Sequence, residues 1–419
     1  MLNTSVAVAI AVVSYALILT ERVPRVVAAL AGAVAMVLAG IALGFYSERQ
    51  ALDAVDFNTL ALLAGLMVFV SLFKRTGAFE AMALWLTRLT RANPVRLLAA
   101  LSLLAALLST VVNNVTVILF MVPITLTIAA SLGLSPVPFI LAEALFSNIG
   151  GVATLIGDPP NVLIGSAAGL GFVDFLVNLG PIVLGVSAAS LAVVVGLFRG
   201  QLRAAGPVPP PAAAGAVKSP ANLKRLLWVL SIGMGLFFFA DVLGLSPGLV
   251  ALLIAAASLL WVRSEVEEIV AEIEWPLMVL FAALFVIVGG LEAVGALEVV
   301  AEAFGRLAQA DARVAAVALL WLSALFSAVI DNIPFTVVMI PILQHLQAMG
   351  VDGAALWWAL ALGVGLGGNA TPLGSTAGLF VISFSARTRL PIRFGLWVKT
   401  GGLVTLVGLA VATLMMLWR

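Results

Sequence analysis

Four short stretches of this chain set oxygen-bearing side chains and glycine into otherwise apolar sequence. The first is Asn113-Asn114 with Thr116, and the second is Asp331-Asn332 with Thr336. The third, SNIGGVATLIGDPPN, runs from Ser147 to Asn161 and carries Asn148, Gly150, Gly151, Thr154 and Asp158. The fourth, GGNATPLGST, runs from Gly367 to Thr376 and carries Gly368, Asn369, Thr371, Ser375 and Thr376. Amide, hydroxyl and carboxylate oxygens of this kind can replace the hydration shell of a cation or hold the hydroxyls of a small neutral oxyacid. Gly pairs and Pro also free backbone carbonyls and N–H groups from a helix, adding further ligands. With no cysteine in the chain, disulfides, zinc–thiolate sites and iron–sulfur clusters are excluded, and any chemistry must use oxygen and nitrogen. No metal centre and no cofactor is expected beyond a coupling Na+ or H+.

Each candidate has a plainer role set beside it. Asp331 and Asp158 are candidates for carrying a coupling proton or binding a cation, and otherwise serve as helix caps or hydrogen-bond anchors. Glu143, on the segment entering the third stretch, is either a proton relay or an interface residue. The single histidine, His345, reads as a membrane-edge residue rather than a proton carrier. Close helix packing through small residues explains isolated glycines but not the recurrence of Gly-Gly, Thr, Gly and an Asp or Ser beside Asn and Pro. The acidic run Glu265 to Glu274 reads as a solvated loop.

The elements that must position these groups are membrane helices. Of 419 residues, 63% are hydrophobic and 10% charged; the mean hydropathy is +1.21. That is too little polar surface for a water-facing fold. A helical span needs about 20 apolar residues. Apolar segments fall near 3–20, 23–45, 57–73, 95–131, 138–165, 175–198, 224–241, 247–262, 276–291, 314–348, 355–384 and 394–417. The alternating, aromatic-girdled strands of a β-barrel are not seen, and the fold class is all-α and polytopic. Residues 3–20 read as a retained helix rather than a signal peptide. The net charge of +1 points to no nucleic-acid partner.

The chain also repeats. VVNNVTVILFMVPI from Val111 aligns without a gap on VIDNIPFTVVMIPI from Val329, and Gly77-Ala78-Phe79-Glu80 matches Gly295-Ala296-Leu297-Glu298 in the same register. One residue out of that register, GGVATLIGD from Gly150 matches GGNATPLGS from Gly367. We read residues 1–198 as a first repeat, 199–222, rich in Pro and Ala, as a cytoplasmic linker, and 223–419 as a second repeat. The long segments 95–131 and 314–348 read as re-entrant hairpins with polar tips. The third and fourth stretches read as broken helices at the membrane midplane. Five crossings per repeat make the two copies inverted. Stretches 78–92 and 296–310 look like interfacial helices. All Lys and Arg except Arg49, Arg306, Arg313 and Arg419 fall on one side, which makes that side cytoplasmic and both termini extracytoplasmic.

At SNIGGVATLIGDPPN, VIDNIPFTVVMIPI and GGNATPLGST the sequence resembles the ion transporter superfamily. The similarity is to the branch of arsenite permeases, NhaD-type sodium/proton antiporters and the pink-eyed dilution protein, with citrate-transporter-like and sodium/dicarboxylate families further off. The resemblance implies two inverted repeats and a transport domain that moves against a scaffold as an elevator. It makes a second copy of the chain a candidate partner, and it places the binding site on the sixteen residues of the four stretches named above. The Ser-Asn-Thr tips of the sodium/dicarboxylate branch are absent, and Gly378 stands where relatives carry an Asn matching Asn161. The second ion site is therefore expected to be altered.

The function expected is secondary active transport across the inner membrane. Proton- or sodium-coupled antiport exporting a small inorganic ion or a metalloid such as arsenite leads, because no Arg or Lys lies within the four stretches. A sodium- or proton-coupled citrate or dicarboxylate transporter is the alternative. An intramembrane aspartyl protease using Asp158 and Asp331, and a passive channel, belong to other classes.

Overall fold

A computed structural model describes residues 2–20, 22–91, 93–203, 217–298, 301, 302, 305, 306, 309, 311–351, 353–386 and 391–418. The centre of the expected linker, much of the stretch 296–310 and the charges of Arg387 and Arg389 lie outside them. The described residues form helices and no strands. The first half comprises α1 (Leu2–Thr20), α2 (Arg25–Leu43), α3 (Glu48–Asp53), α4 (Phe57–Arg75), α5 (Ala78–Leu89), α6 (Pro94–Ser109), α7 (Asn114–Ser131), α8 (Val137–Gly151), α9 (Pro159–Ala168) and α10 (Phe172–Arg203). The second comprises α11 (Pro220–Leu243), α12 (Pro247–Val262), α13 (Val266–Ala271), α14 (Trp275–Ala293), α15 (Ala312–Ser327), α16 (Asn332–Ala348), α17 (Ala354–Gly367), a 3-10 turn (Pro372–Gly374), α18 (Thr376–Ala386) and α19 (Phe394–Leu417). Among the described residues, eight helices are long and apolar enough to cross a membrane: α1, α2, α4, α7, α10, α11, α14 and α19. The shorter apolar helices α6, α8, α12, α15, α17 and α18 complete the set.

The segments too long for one span divide where the polar residues interrupt them. The run 95–131 becomes α6 and α7 around the turn at Thr110–Asn113, and 314–348 becomes α15 and α16 around Ala328–Asp331. Equivalent residues start the two hairpins. Asn93 accepts from Arg96 N, and Asp311 accepts from Arg313 N and Val314 N, so each entry arm has its own side-chain cap. The return arms each hold an internal proline, Pro123 and Pro341. The other two runs break at Val152–Asp158 and Gly368–Ser375, as Gly and Pro dictate.

Packing separates two bodies. In one, α2 lies on α14 and α4 on α12, with α1 against α2 and α14 and α11 against α12. In the other, α6 lies on α8, α15 on α17, α7 on α18, α16 on α9, and α10 on α19. Exchanging the halves converts each cross-half pair into its counterpart: α2·α14 into α12·α4, and α7·α18 into α16·α9.

The acidic run is not a free loop. Its short helix α13 and the following turn dock on the end of α4, where Arg75 pairs with Glu268 at 2.6 Å and with Glu272 at 2.7 Å. Ser71 Oγ donates to Glu272 at 2.7 Å, and Lys74 lies 3.3 Å from the same carboxylate. Burial pushes Glu272 up, but Ser71, Arg75 and Lys74 together outweigh it and hold its carboxyl below the ordinary range. Lys74 also sits over the Phe120 ring, 4.9 Å from its centre, joining α4 to the return arm of the first hairpin.

Candidate functional site

The four polar stretches converge. Asn148, near the end of α8, is fully buried and links three of them. Its Oδ1 accepts from Asn114 Nδ2 at 2.9 Å, while its own Nδ2 donates to Asn369 Oδ1 and to Ser375 Oγ, both at 2.9 Å. Asn369 Nδ2 in turn donates to Leu145 O at 3.0 Å. A chain of amides thus runs from the first tip through the first break into the second break. The fourth stretch to join is the second tip. Asn332 is oriented with its amide nitrogen toward Gly374 O, 2.9 Å away, and lies against the Asp158 carboxylate.

The two carboxylates do not serve as caps. Asp158 and Asp331 stand at the N-cap positions of α9 and α16, yet neither side chain makes a capping hydrogen bond. Asp158 Oδ1 accepts from Asn114 Nδ2 at 3.4 Å, and its Oδ2 is buried without a protein partner. Asp331 turns toward Thr376, whose hydroxyl donates to it at 3.4 Å, and forms an ion pair with Arg25. Asp158 and Asp331 lie within electrostatic reach of each other. Asn113, the counterpart of Asp331, behaves differently: its Oδ1 accepts from Val115 N at 3.0 Å and caps α7. It borders a void of about 30 Å³ shared with Thr116 and with Leu63, Leu66, Met67 and Val70 of α4.

Several expected ligands hold the scaffolding of the site instead. Thr154 donates to Thr110 O and Thr371 to Ala328 O, equivalent straps that tie each break to the hairpin turn of its own half. Thr336 donates back to Asn332 O at 2.8 Å, within α16. Gly150 performs the close-packing role set aside above, since a Cβ there would stand 2.0 Å from Ala106 O on α6. Gly151 and Gly368 border the centre: a Cβ on Gly151 would come within 3.4 Å of the Asp158 Cβ, and one on Gly368 within 3.0 Å of the Asn332 amide. Glu143 is wholly buried between α7 and α8, accepting from Thr125 with its second oxygen unpartnered. His345 borders a cavity with Glu292, Glu298 and Gln344.

Residues outside the four stretches, and one at the edge of the third, complete the arrangement. Asn161 Nδ2 donates to Gly151 O, Val152 O and Thr154 O at 3.2, 3.1 and 2.8 Å, satisfying the carbonyls freed by the first break. At its counterpart Gly378, a Cβ would lie 2.8 Å from Pro372 O and 3.1 Å from the Trp397 ring. Trp397 fills that space, and its Nε1 donates to Asn369 O at 3.1 Å. The second break is therefore satisfied by an indole from α19 rather than by an amide of its own. Trp397→Phe is expected to leave Asn369 O unpaired and to cost about 1–3 kcal/mol, read as a lowered unfolding midpoint of the purified protein. An unchanged midpoint would show that another group takes over this carbonyl. No sequence pattern marked Trp397. Arg25 carried a weak signal, as a cation directly after Pro24 at the start of an apolar run.

An all-helical chain with paired hairpins and paired broken helices, its polar groups gathered where they meet, is a multi-pass membrane transporter. Residues 15–363 match the family described as citrate transporter, CitMHS, and the chain belongs to that family. An uncharacterized transporter of Mycobacterium tuberculosis is 36% identical over 98% of this chain and 97% of its own length. Magnetosome protein MamN of Paramagnetospirillum magneticum is 32% identical over 84% and 81% of the two chains. Human P protein is 31% identical over 90% of this chain, which spans about half, 55%, of that protein. The fold is shared with the YdaH transporter of Alcanivorax borkumensis, described as having an unusual topology, at a TM-score of 0.63 and 15% identity over 86% of this chain and 85% of that one. The family is described as one of transporters and the mycobacterial relative as a transporter, so the chain is a transporter and not an enzyme. The protease reading also fails on chemistry: a catalytic dyad must share a proton, and Asp331 is paired with a guanidinium.

Proposed function

We propose that the protein is a proton- or sodium-coupled secondary transporter that exports a small inorganic ion or a neutral metalloid hydroxide. The amide chain through Asn148 carries this reading, because it joins both breaks and the first tip around two carboxylates that do no capping. Such a centre offers uncharged oxygens and negative charge. The positive charge that reaches it, Arg25, is already paired with Asp331. A multiply charged carboxylate would meet net repulsion there.

The family's description favours a second reading, citrate or dicarboxylate transport, in which coupling cations would supply the missing positive charge. In either case the segregation of α1, α2, α4, α11, α12 and α14 from the hairpins and broken helices supports an elevator motion of one body against the other. The 1–198 and 223–419 repeats would then be inverted, residues 199–222 would form a cytoplasmic linker, and both termini would face outward from the inner membrane, in keeping with the asymmetry of Lys and Arg. A homodimer is part of this proposal.

Purified protein in vesicles, tested with arsenite, radioactive sodium, citrate and succinate under imposed pH and sodium gradients, separates the readings. Gradient-driven flux of arsenite or sodium without citrate flux is the expected result. Citrate or succinate flux would establish the second reading, and flux indifferent to both gradients would overturn coupling altogether.

A further inference from the structure

The ion pair between Arg25 and Asp331 crosses from one packed body to the other. Arg25 opens α2, which lies on α14, whereas Asp331 is the tip of the second hairpin. A second bond spans the same junction: Tyr15 of α1 donates its hydroxyl to Pro334 O at 3.2 Å. Asp331 is faced by Arg25 from α2 and by Thr376 from the second break at 3.4 Å, and the Asp158 carboxylate of the first break lies within electrostatic reach of it. The first hairpin has no counterpart to this arrangement. Its tip residue, Asn113, is neutral, spends its oxygen on capping α7, and meets apolar side chains of α4.

We propose that Arg25 is a tethered cation that competes with the coupling ion for Asp331 and holds the second hairpin tip against α1 and α2 until a proton or sodium ion neutralises that carboxylate. The inference deepens the coupled-transport reading and rests on it for its biological meaning. Drawing Asp331 away from Arg25 without another cation or a proton leaves an uncompensated carboxylate in low dielectric, which is strongly unfavourable. A tip carrying an ionised Asp331 therefore stays with Arg25. Once a proton or cation takes the guanidinium's place, the pair loses its attraction, and the Tyr15 hydrogen bond and the packing of α16 on α14 remain across the junction. Coupling arises because the empty, charged tip is the one that stays. The asymmetry between Asn113 and Asp331 assigns this duty to one hairpin and leaves the other free of it.

Hydrogen–deuterium exchange of the purified full chain tests the latch without a known solute. Protection of the amides at 333 and 335–338 would be followed, each corrected for its intrinsic exchange rate, while pH and sodium chloride are varied separately. In the wild-type protein protection is expected to be high in alkaline, sodium-free buffer and to fall about tenfold on acidification or on adding sodium. Arg25→Gln and Asp331→Asn should both show low protection that no longer responds, while Arg25→Lys should restore the response. Amides 115–120 of the first hairpin serve as the folding control and should not change.

Protection that titrates identically in wild type and Arg25→Gln would overturn the proposal, as would an Asp331→Asn tip as protected as the alkaline wild type. If Arg25→Gln fails the folding control, the comparison of Asp331→Asn and Arg25→Lys with wild type decides. Vesicle flux keeps the two claims apart. A protein with the expected titration but no gradient-driven flux would sink the transport reading and leave the latch standing. Coupled flux with an unresponsive tip would do the reverse.

Discussion

Replacing Asn148 with leucine is expected to lower gradient-driven flux about 10–100-fold and to reduce the stability of the purified protein. Leucine nearly matches asparagine in shape, so the α8 backbone has no steric reason to move, and the effect isolates three hydrogen bonds. Asn114 Nδ2 would keep only its 3.4 Å contact to Asp158. Asn369 Oδ1 would lose the donor that Asn148 supplies, and Ser375 Oγ would retain only the N–H of Gly378 at 3.1 Å. Each buried polar group left unpaired costs about 1–3 kcal/mol.

If the amides act as one chain, the losses must not add. Asn369→Leu alone and Asn148→Leu alone should each weaken the centre, and the double variant should be little worse than the more severe single one. Full additivity, or wild-type flux in Asn148→Leu, would show that the convergence of the two breaks is packing without function. The measurement is flux in vesicles beside thermal unfolding in detergent, because a loss of flux that merely follows unfolding would not test the chain.

The sequence displayed this centre unevenly. Hairpins and breaks were legible because Asn, Asp, Gly and Pro inside apolar runs have few tolerable places in a membrane, and because the same pattern occurs twice. The division of 95–131 and 314–348 at their polar tips follows directly from that constraint. The direction of individual side chains was not legible. Thr154 and Thr371 share a residue type with genuine ligands, and only geometry shows their hydroxyls on Thr110 O and Ala328 O. Gly150 resembles Gly151 in sequence but faces α6, because neighbouring positions on a helix point about 100° apart.

Two further features depended on distant parts of the chain. Gly378 looked like a defect in the second site, and Trp397, from a helix the repeat does not mark, shows how that space is filled. Arg25 lies hundreds of residues from Asp331 and belongs to the other packed body, so no local pattern could pair them. The acidic run was misjudged for a similar reason: Glu268 and Glu272 find their partners on α4.

Asp331→Asn is expected to abolish gradient-driven flux, down to the level of empty vesicles, while leaving a folded protein. Folding should survive because Asp331 makes no capping bond to α16, so the substitution removes the ion pair with Arg25 but no helix cap. Asparagine keeps the shape and can still accept from Thr376, but it cannot take up a proton and offers a cation a dipole instead of a charge. Arg25 would lose this carboxylate as a partner. Asp158→Asn provides the internal comparison, since Asp158 is also buried and also free of capping duty. Abolished coupling in Asp331→Asn with retained coupling in Asp158→Asn would assign the coupling ion to the second tip. The opposite result would assign it to the first break, where Asp158 Oδ2 is buried without a protein partner. Wild-type coupled flux in Asp331→Asn would remove this carboxylate from the mechanism, because no other acidic group stands at either hairpin tip.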